Sequence, residues 1–266
     1  MHLPKTLTLL LLMLPVFAFG QPQQEREISD LKTKIITLSN SFQSTLNKNQ
    51  LNNNSMLAHY QARLLIKVFT YEIYLKMKKS GVKRNQEDIE AMVQAAFNNA
   101  WIFQDLGKDH ADRFLLILQW AKDESNYDKN CKSSWKKGQY IRSLNKTINF
   151  DSTDYGAWQN NDANLQFLKI VNYLYESGVV TFKVKKIRTV KDLLDIPTSC
   201  TARCLIESDR RNRGWEWKHV RDKKYNIWLH ATMDKLEHDG LYSKAFVEKY
   251  YNITPYKRYS NAKRAR

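Results

Sequence analysis

Apolar residues recur at intervals of three and four through most of the chain. Ile28, Leu31, Ile35, Leu38 and Phe42 form one such stripe, the signature of a helix face packed against a neighbour. The polar run NKNQLNNNS over 47–55 predicts a loop. A second amphipathic helix, rich in Leu, Ile, Phe and Tyr, is expected over 56–79, and a third over 86–106. The helix expected over 109–125 is different. Phe114, Ile117, Leu118 and Ala121 make one face, while Leu115, Leu116 and Trp120 fill much of the rest. A helix that is apolar nearly all round is buried. Residues 126–161 lose this periodicity and hold Gly138 and Gly156, which predicts loops and a short hairpin. Further helices are expected over 162–177, 188–195, 200–212, 215–238 and 241–250.

Proline is missing between Pro22 and Pro197, and Gly81, Gly107, Gly178, Gly214 and Gly240 fall where helices should stop. The expected fold class is therefore mainly α: a helical core, a small loop and hairpin lobe, and an extra N-terminal helical region over 21–105. That region is either a separate hairpin or packed on the rest of the chain. Residues 1–20 have the layout of a signal peptide. Lys5 gives the basic start, LTLLLLMLPVFAF the apolar run, and Ala18-Phe19-Gly20 the small residues before a cut. The run is too short for a comfortable membrane span. No later stretch is long and apolar enough to cross a bilayer, and no cysteine at the cut offers a lipid anchor. A secreted or periplasmic location is expected. Export permits disulfides, and Cys131, Cys200 and Cys204 allow one at most. Either Cys200 pairs locally with Cys204, or Cys131 ties its region to the C-terminal half.

Lys and Arg number 43 against 27 Asp and Glu, a net charge of +16. Such a surface favours polyanions, and outside a cytoplasm cell-wall polymer and anionic membrane fit as well as nucleic acid. Residues 253–266 end the chain as a basic tail. RNRGWEWKHVRDKKYNIW over 211–228 interleaves aromatic and basic residues, as nucleic-acid surfaces do. At helical spacing, however, Trp217, Val220, Ile227 and Trp228 are more simply one buried stripe, so nucleic acid is not the expected partner. His59, His110, His219, His230 and His238 are scattered and make no Ser-His-Asp or Cys-His set. No ligand spacing suggests a metal, and no cofactor is expected. The oligomeric state is left open.

The dipeptide Glu-Ser occurs three times, at Glu124-Ser125, Glu176-Ser177 and Glu207-Ser208. Only the first is followed, thirty residues on, by a stretch such as STDYGAWQNND over 152–162. Glu124 is expected at the C-terminal end of a buried helix, one turn after Trp120. Low polarity and the negative end of the helix dipole both disfavour a carboxylate there, which suits a proton donor. Asp154 lies in a polar stretch with Ser152, Thr153 and Asn160, where hydrogen bonds can keep it ionised. Two carboxylates in contrasting surroundings divide the work of acid and charge stabiliser.

AKDESN followed by STDYGAWQNN resembles the goose- and chicken-type lysozyme superfamily. Within it, the chain is most similar to chicken-type lysozymes and the small lytic transglycosylases of bacterial secretion systems. The likeness covers about residues 109–178. It implies a lysozyme-like α+β fold with a catalytic domain over 106–252, acting on peptidoglycan glycan strands. It implies Glu124 as catalytic acid and Asp154 as second carboxylate. The family's Gln-Ile-Asn falls on Gln159, Asn160 and Asn161, with Asn160 in the apolar place. Asn164-Leu165 and Tyr173-Leu174 match the family's later Asn and Tyr-Leu. Ser125, Tyr155, Gln159, Asn161, Asn164 and Tyr173 are thus the implied substrate-binding residues, with Tyr225 and Tyr242 as candidates for a downstream tyrosine. Read on their own, Tyr155 and Gly156 are a packed ring and a turn, and Trp158 is as much a core residue as a sugar platform. The chain departs from the family in KSSWKKGQYIRSLNKT over 132–147, an insertion or altered hairpin, and in lacking its disulfides. Carboxyl groups about 5 Å apart would suit a retaining hydrolase, the outcome narrowly preferred. The alternatives are a lytic transglycosylase assisted by the substrate's acetamido group and a non-catalytic wall-binding protein.

Overall fold

A computed structural model of the chain describes residues 22–42, 50–106, 110–142, 145–178, 186–212 and 227–243. Among them the protein is mainly helical, with seven α-helices and a small antiparallel strand lobe. The expected signal peptide, the basic tail, Gly107, Gly214, Trp217, Val220 and Tyr225 lie outside the described residues.

The N-terminal stripe forms helix α1, Pro22–Phe42. Its Leu31 and Ile35 are fully buried, flanked by partly buried Ile28 and Leu38, against α2, Gln50–Lys79. Helix α2 begins earlier than expected, so residues 50–55 are helical rather than loop. Asparagine costs a helix only a few tenths of a kcal/mol per residue, and a long helix held by its apolar part extends cheaply. It stops at Gly81, whose φ of 72° lets Val82 N donate to the Met77 carbonyl (2.9 Å). Helix α3, Gln86–Asn99, starts on an Asn85 cap that accepts from Glu87 N. It ends seven residues short of the expected 106, because Ala100–Leu106 tightens to a 3-10 helix kinked at Phe103. The kink turns Phe103 into the core, edge-on to Trp120 at 5.7 Å between centroids.

Helix α4, His110–Ser125, is the buried helix the pattern predicts: apart from Asp112, every residue from His110 to Ala121 is buried. It packs on α3. One apolar cluster runs from Leu31 to Tyr242, so the N-terminal helices pack on the later part of the chain rather than standing apart as a hairpin. After α4 the chain makes β1 (Lys132–Trp135), β2 (Tyr140–Ile141), β3 (Lys146–Thr147), β4 (Ser152–Tyr155) and β5 (Asn160–Asn161). Strands β1, β4 and β5 form one antiparallel sheet in the order β1-β4-β5, and β2 pairs only with β3. This is more strand than the single hairpin expected.

A 3-10 turn over Asp162–Asn164 leads into α5, Leu165–Glu176. Only a short 3-10 helix, Val190–Leu194, stands where a helix over 188–195 was expected. Helix α6 spans Ile196–Asn212. It starts four residues before the expected 200 because Pro197 is well suited to a first turn and Asp195 Oδ2 accepts from Thr198 N (3.2 Å). Helix α7, Ile227–His238, is the described part of the expected 215–238. Residues 241–243, expected to begin a further helix, are not helical. No helix among the described residues is long and apolar enough to cross a membrane.

All three cysteines are free, so neither expected disulfide is formed. Cys200 and Cys204 lie one turn apart on α6 with no exposed surface. Burial and the adjacent Cys204 hold the Cys200 thiol well above its usual range, and burial with the Asp128 charge raises that of Cys131. A higher pKa leaves less thiolate at any given pH. At about pH 8, a thiol reagent should therefore label the folded protein slowly and at Cys131 alone, with the α6 pair reacting only on unfolding. Fast labelling of Cys200 or Cys204 in the folded state, read by peptide mass, would contradict this packing.

Candidate functional site

The end of α4 carries Glu124 into the open. Asn126 and Tyr127 follow it with φ of 51° and 59°, left-handed values that are costly for side chains with a Cβ. They close the helix through Asn126 N to Lys122 O (2.8 Å) and Tyr127 N to Ala121 O (3.2 Å). The Tyr127 ring is buried and its hydroxyl has no hydrogen-bond partner among the described residues. Ser125 Oγ donates to the Ala121 carbonyl (2.9 Å) and accepts from Asp128 N (3.1 Å). It finishes the helix and does not line the cleft onto which Glu124 opens.

The turn between β4 and β5 is the second contributor. Gly156 has φ of 78° and Gln159 φ of 46°. A Cβ at Gly156 would meet the Leu193 carbonyl oxygen at 2.2 Å and Ser199 Oγ at 2.8 Å. Trp158 is fully buried, and its Nε1 donates to the Ile117 carbonyl in the middle of α4 (2.9 Å). It is a core residue, not a sugar platform. Gln159 Nε2 donates to the carbonyls of Cys131 (3.0 Å) and Gly156 (2.9 Å). Asn160 Nδ2 donates to Ser199 O and Oγ, both at 3.0 Å, while its Oδ1 has no partner among the described residues. An asparagine suits this position because the turn lies on polar groups of α6.

Asp154 faces Asn161 across the β4–β5 ladder. Directly paired residues share a sheet face, and Asn161 Nδ2 donates to Asp154 Oδ1 (2.8 Å). Trp135 Nε1 donates to Asp154 Oδ2 (2.6 Å), so both carboxylate oxygens are engaged. Asn161 Oδ1 also caps the next turn through Ala163 N (2.9 Å).

Glu124, Asp154, Gln159, Asn160, Asn161 and Asn164 all line one cleft of about 590 Å³. Trp135, Ile141 and Lys146 form part of its wall, so the stretch read as an altered hairpin builds the site's edge, with Ile148 and Phe150 just after it. Phe150 is half-exposed there. Besides Ser125, three residues implied by the resemblance stand elsewhere. Tyr155 packs beside the small cluster of Leu168, Ile187 and Leu193. Tyr173 is exposed on α5, and Tyr242 is buried in the main core; neither lines the cleft. No group of three metal-binding side chains occurs among the described residues.

The carboxylate of Glu124 is not isolated in an apolar pocket, as expected, but paired. Arg203 Nη2 donates to Glu124 Oε1 at 3.0 Å. The same guanidinium donates through Nη1 to the carbonyl of Trp158 (3.1 Å) and, more weakly, Gln159 (3.4 Å). Arg203 Nε lies 3.0 Å from Glu207 Oε1, which Arg210 Nη1 also reaches (2.9 Å). Sequence reasoning missed Arg203, Glu207, Arg210 and Trp135. Arg203, Glu207 and Arg210 have the i, i+4 and i+3 spacing of a charged helix face, but nothing in the sequence points that face at Glu124. Glu207 belongs to the third Glu-Ser pair, which lacks the sequel that singles out the first.

The chain matches no protein-family profile, no curated protein and no solved structure, so the site rests on its own geometry. The Gly156 turn gives the most direct check. Gly156→Ala is expected to destabilise the protein by on the order of 2 kcal/mol or more, from backbone strain and the clash with Leu193. A urea unfolding midpoint unchanged from wild type would show that the turn does not press on α6.

Proposed function

We propose that this protein cleaves the β-1,4 glycan strand of peptidoglycan, with Glu124 as general acid and then base. It would do so as a lysozyme-like enzyme outside the cytoplasm. What supports the reading most is the cleft itself: two carboxylates and five amides, brought from the end of a buried helix and from the strand lobe and the turn after it, line one cavity. Such a cavity is of the size that takes small sugar units.

In this reading Glu124 protonates the glycosidic oxygen and the bond to the anomeric carbon breaks. Asp154 presents a fixed negative charge to the positive charge that develops on the sugar. Gln159, Asn161 and Asn164 supply amide groups for the sugar's hydroxyl and acetamido groups. In the hydrolytic outcome Asp154 attacks the anomeric carbon, and Glu124 then draws a proton from water to release a reducing sugar. In the other outcome the acetamido oxygen attacks the anomeric carbon; Glu124 then draws the proton from a hydroxyl of the same sugar, whose oxygen displaces the acetamido oxygen and closes an anhydro ring. One observation favours this second outcome: both Asp154 oxygens already accept hydrogen bonds, from Trp135 and Asn161. That arrangement suits a charge held in place better than a group that must reach the substrate.

The test is mass spectrometry of soluble products from acetylated and de-acetylated wall. Anhydro products, lighter by one water than reducing ones, are expected from the acetylated wall. Glu124→Gln should lower their release by about 100-fold or more, the usual worth of a general acid. Reducing products would instead give Asp154 the nucleophile's role. A wild type that releases nothing, and binds wall as well as Glu124→Gln, would leave a wall-binding protein of the same architecture.

A further inference from the structure

Glu124 has two oxygens and the structure treats them differently. Oε1 accepts from Arg203 Nη2 at 3.0 Å, and Oε2 has no protein partner among the described residues. The side chain keeps about 30% of its surface exposed where it lines the cleft. Arg203 is more enclosed, at 14%; both terminal nitrogens donate hydrogen bonds, while buried Nε makes no hydrogen bond among the described residues and is in ion-pair range of Glu207. Nη2 holds Glu124. Nη1 holds the Trp158 carbonyl at 3.1 Å and touches that of Gln159 at 3.4 Å. Nε stands 3.0 Å from Glu207 Oε1, itself held by Arg210. The guanidinium also lies 6.0 Å from the ring centre of Trp120, within cation–π range. One planar group thus touches the end of α4, the β4–β5 turn and its own helix α6.

Resting on the glycan-cleavage reading, we infer that Arg203 is the positioning residue of the site. Its guanidinium takes Glu124 Oε1 and leaves Oε2 to carry the proton to the glycosidic oxygen. The rigid fork is what makes this possible. An arginine can meet a carboxylate and a carbonyl in one plane with fixed angles, whereas a lysine is a point charge on a flexible stem. Because Nη1 is anchored to the Trp158 and Gln159 carbonyls, Glu124 is registered against the turn that carries the amides. Glu207 balances the charge of the enclosed Arg203 guanidinium while Glu124 holds its proton, and the chain Glu124, Arg203, Glu207, Arg210 sums to zero once that proton has left. When Oε2 gives up its proton, the new negative charge is already in contact with Arg203. The proton passes from Oε2 to the leaving oxygen, the electron pair of the broken bond stays on that oxygen, and Glu124 ends as a carboxylate shared with the guanidinium.

The experiment compares wild type, Arg203→Ala and Arg203→Lys on purified peptidoglycan, with kcat and KM separated, and compares their crystal structures. Arg203→Ala is expected to lose about 100-fold in kcat with KM little changed, the usual cost of a misplaced reacting group. Added guanidinium at low concentration should restore part of that kcat without raising Tm, which a merely structural arginine would not allow. Arg203→Lys keeps the charge and serves if the alanine variant fails to fold. It should remain well below wild type and show the Glu124 carboxylate displaced by about 1 Å or more. Full activity in Arg203→Lys, or wild-type kcat in Arg203→Ala, overturns the inference. If wild type itself releases nothing from any wall, the cleavage reading fails. The position of Glu124 in the lysine variant then still decides the role of Arg203, and an unmoved carboxylate counts against it.

Discussion

The hydrogen bond from the Trp158 indole to the Ile117 carbonyl joins the two halves of the molecule. It fastens the tip of the strand lobe to the middle of the buried helix α4, across a sequence separation that no local interaction bridges. The indole itself is fully enclosed, and Gly156 lies so close to the Leu193 carbonyl and Ser199 that no other residue fits without a shift. Helix α4, the β4–β5 turn and the start of α6 therefore meet at one place. The cleft opens beside that junction, and its residues inherit their positions from it.

A carboxylate at the C-terminal end of a helix is in an unfavourable place, since the helix dipole there opposes negative charge by roughly 0.3–1 kcal/mol. A hydrogen bond to a charged group contributes about 1.5–3 kcal/mol, so the contact with Arg203 more than offsets it. The position of Glu124 is thus a tertiary property. Helix α4 delivers the side chain, but α6 makes its place tolerable. The same holds for the strained Asn126 and Tyr127, whose left-handed backbone persists because the Tyr127 ring is locked into the core.

Much of this was legible in the sequence, and the limits have physical causes. The all-round apolar pattern of 114–121 identified α4 because burial on every side leaves a pattern that no surface helix shows. The STDYG stretch announced a turn through its glycine and a carboxylate through its aspartate, and both line or shape the cleft. The start of α2 was lost because asparagines weaken a helix too little to end one. The strands were undercounted because pairs of two residues, such as Tyr140–Ile141 with Lys146–Thr147, are too short to show alternation. Tyr155 and Tyr173 were assigned to substrate by motif position, whereas packing and exposure are set by elements the motif does not contain. Arg203 was invisible for the plainest reason: it lies far from Glu124 in the chain, and long-range ion pairs leave no local signal.

The two parts of the strand lobe are held in unequal ways. Strands β1, β4 and β5 share a ladder that fixes Asp154 against Asn161, while β2 and β3 pair with each other alone. Ile141 and Lys146 nonetheless line the cleft from that second pair, with Ile148 just after it. The outer wall is therefore a separable module. Its length and side chains can change without disturbing the ladder that carries Asp154. The width of the cleft and the placement of Asp154 are written into different hydrogen-bonded units, free to diverge at different rates.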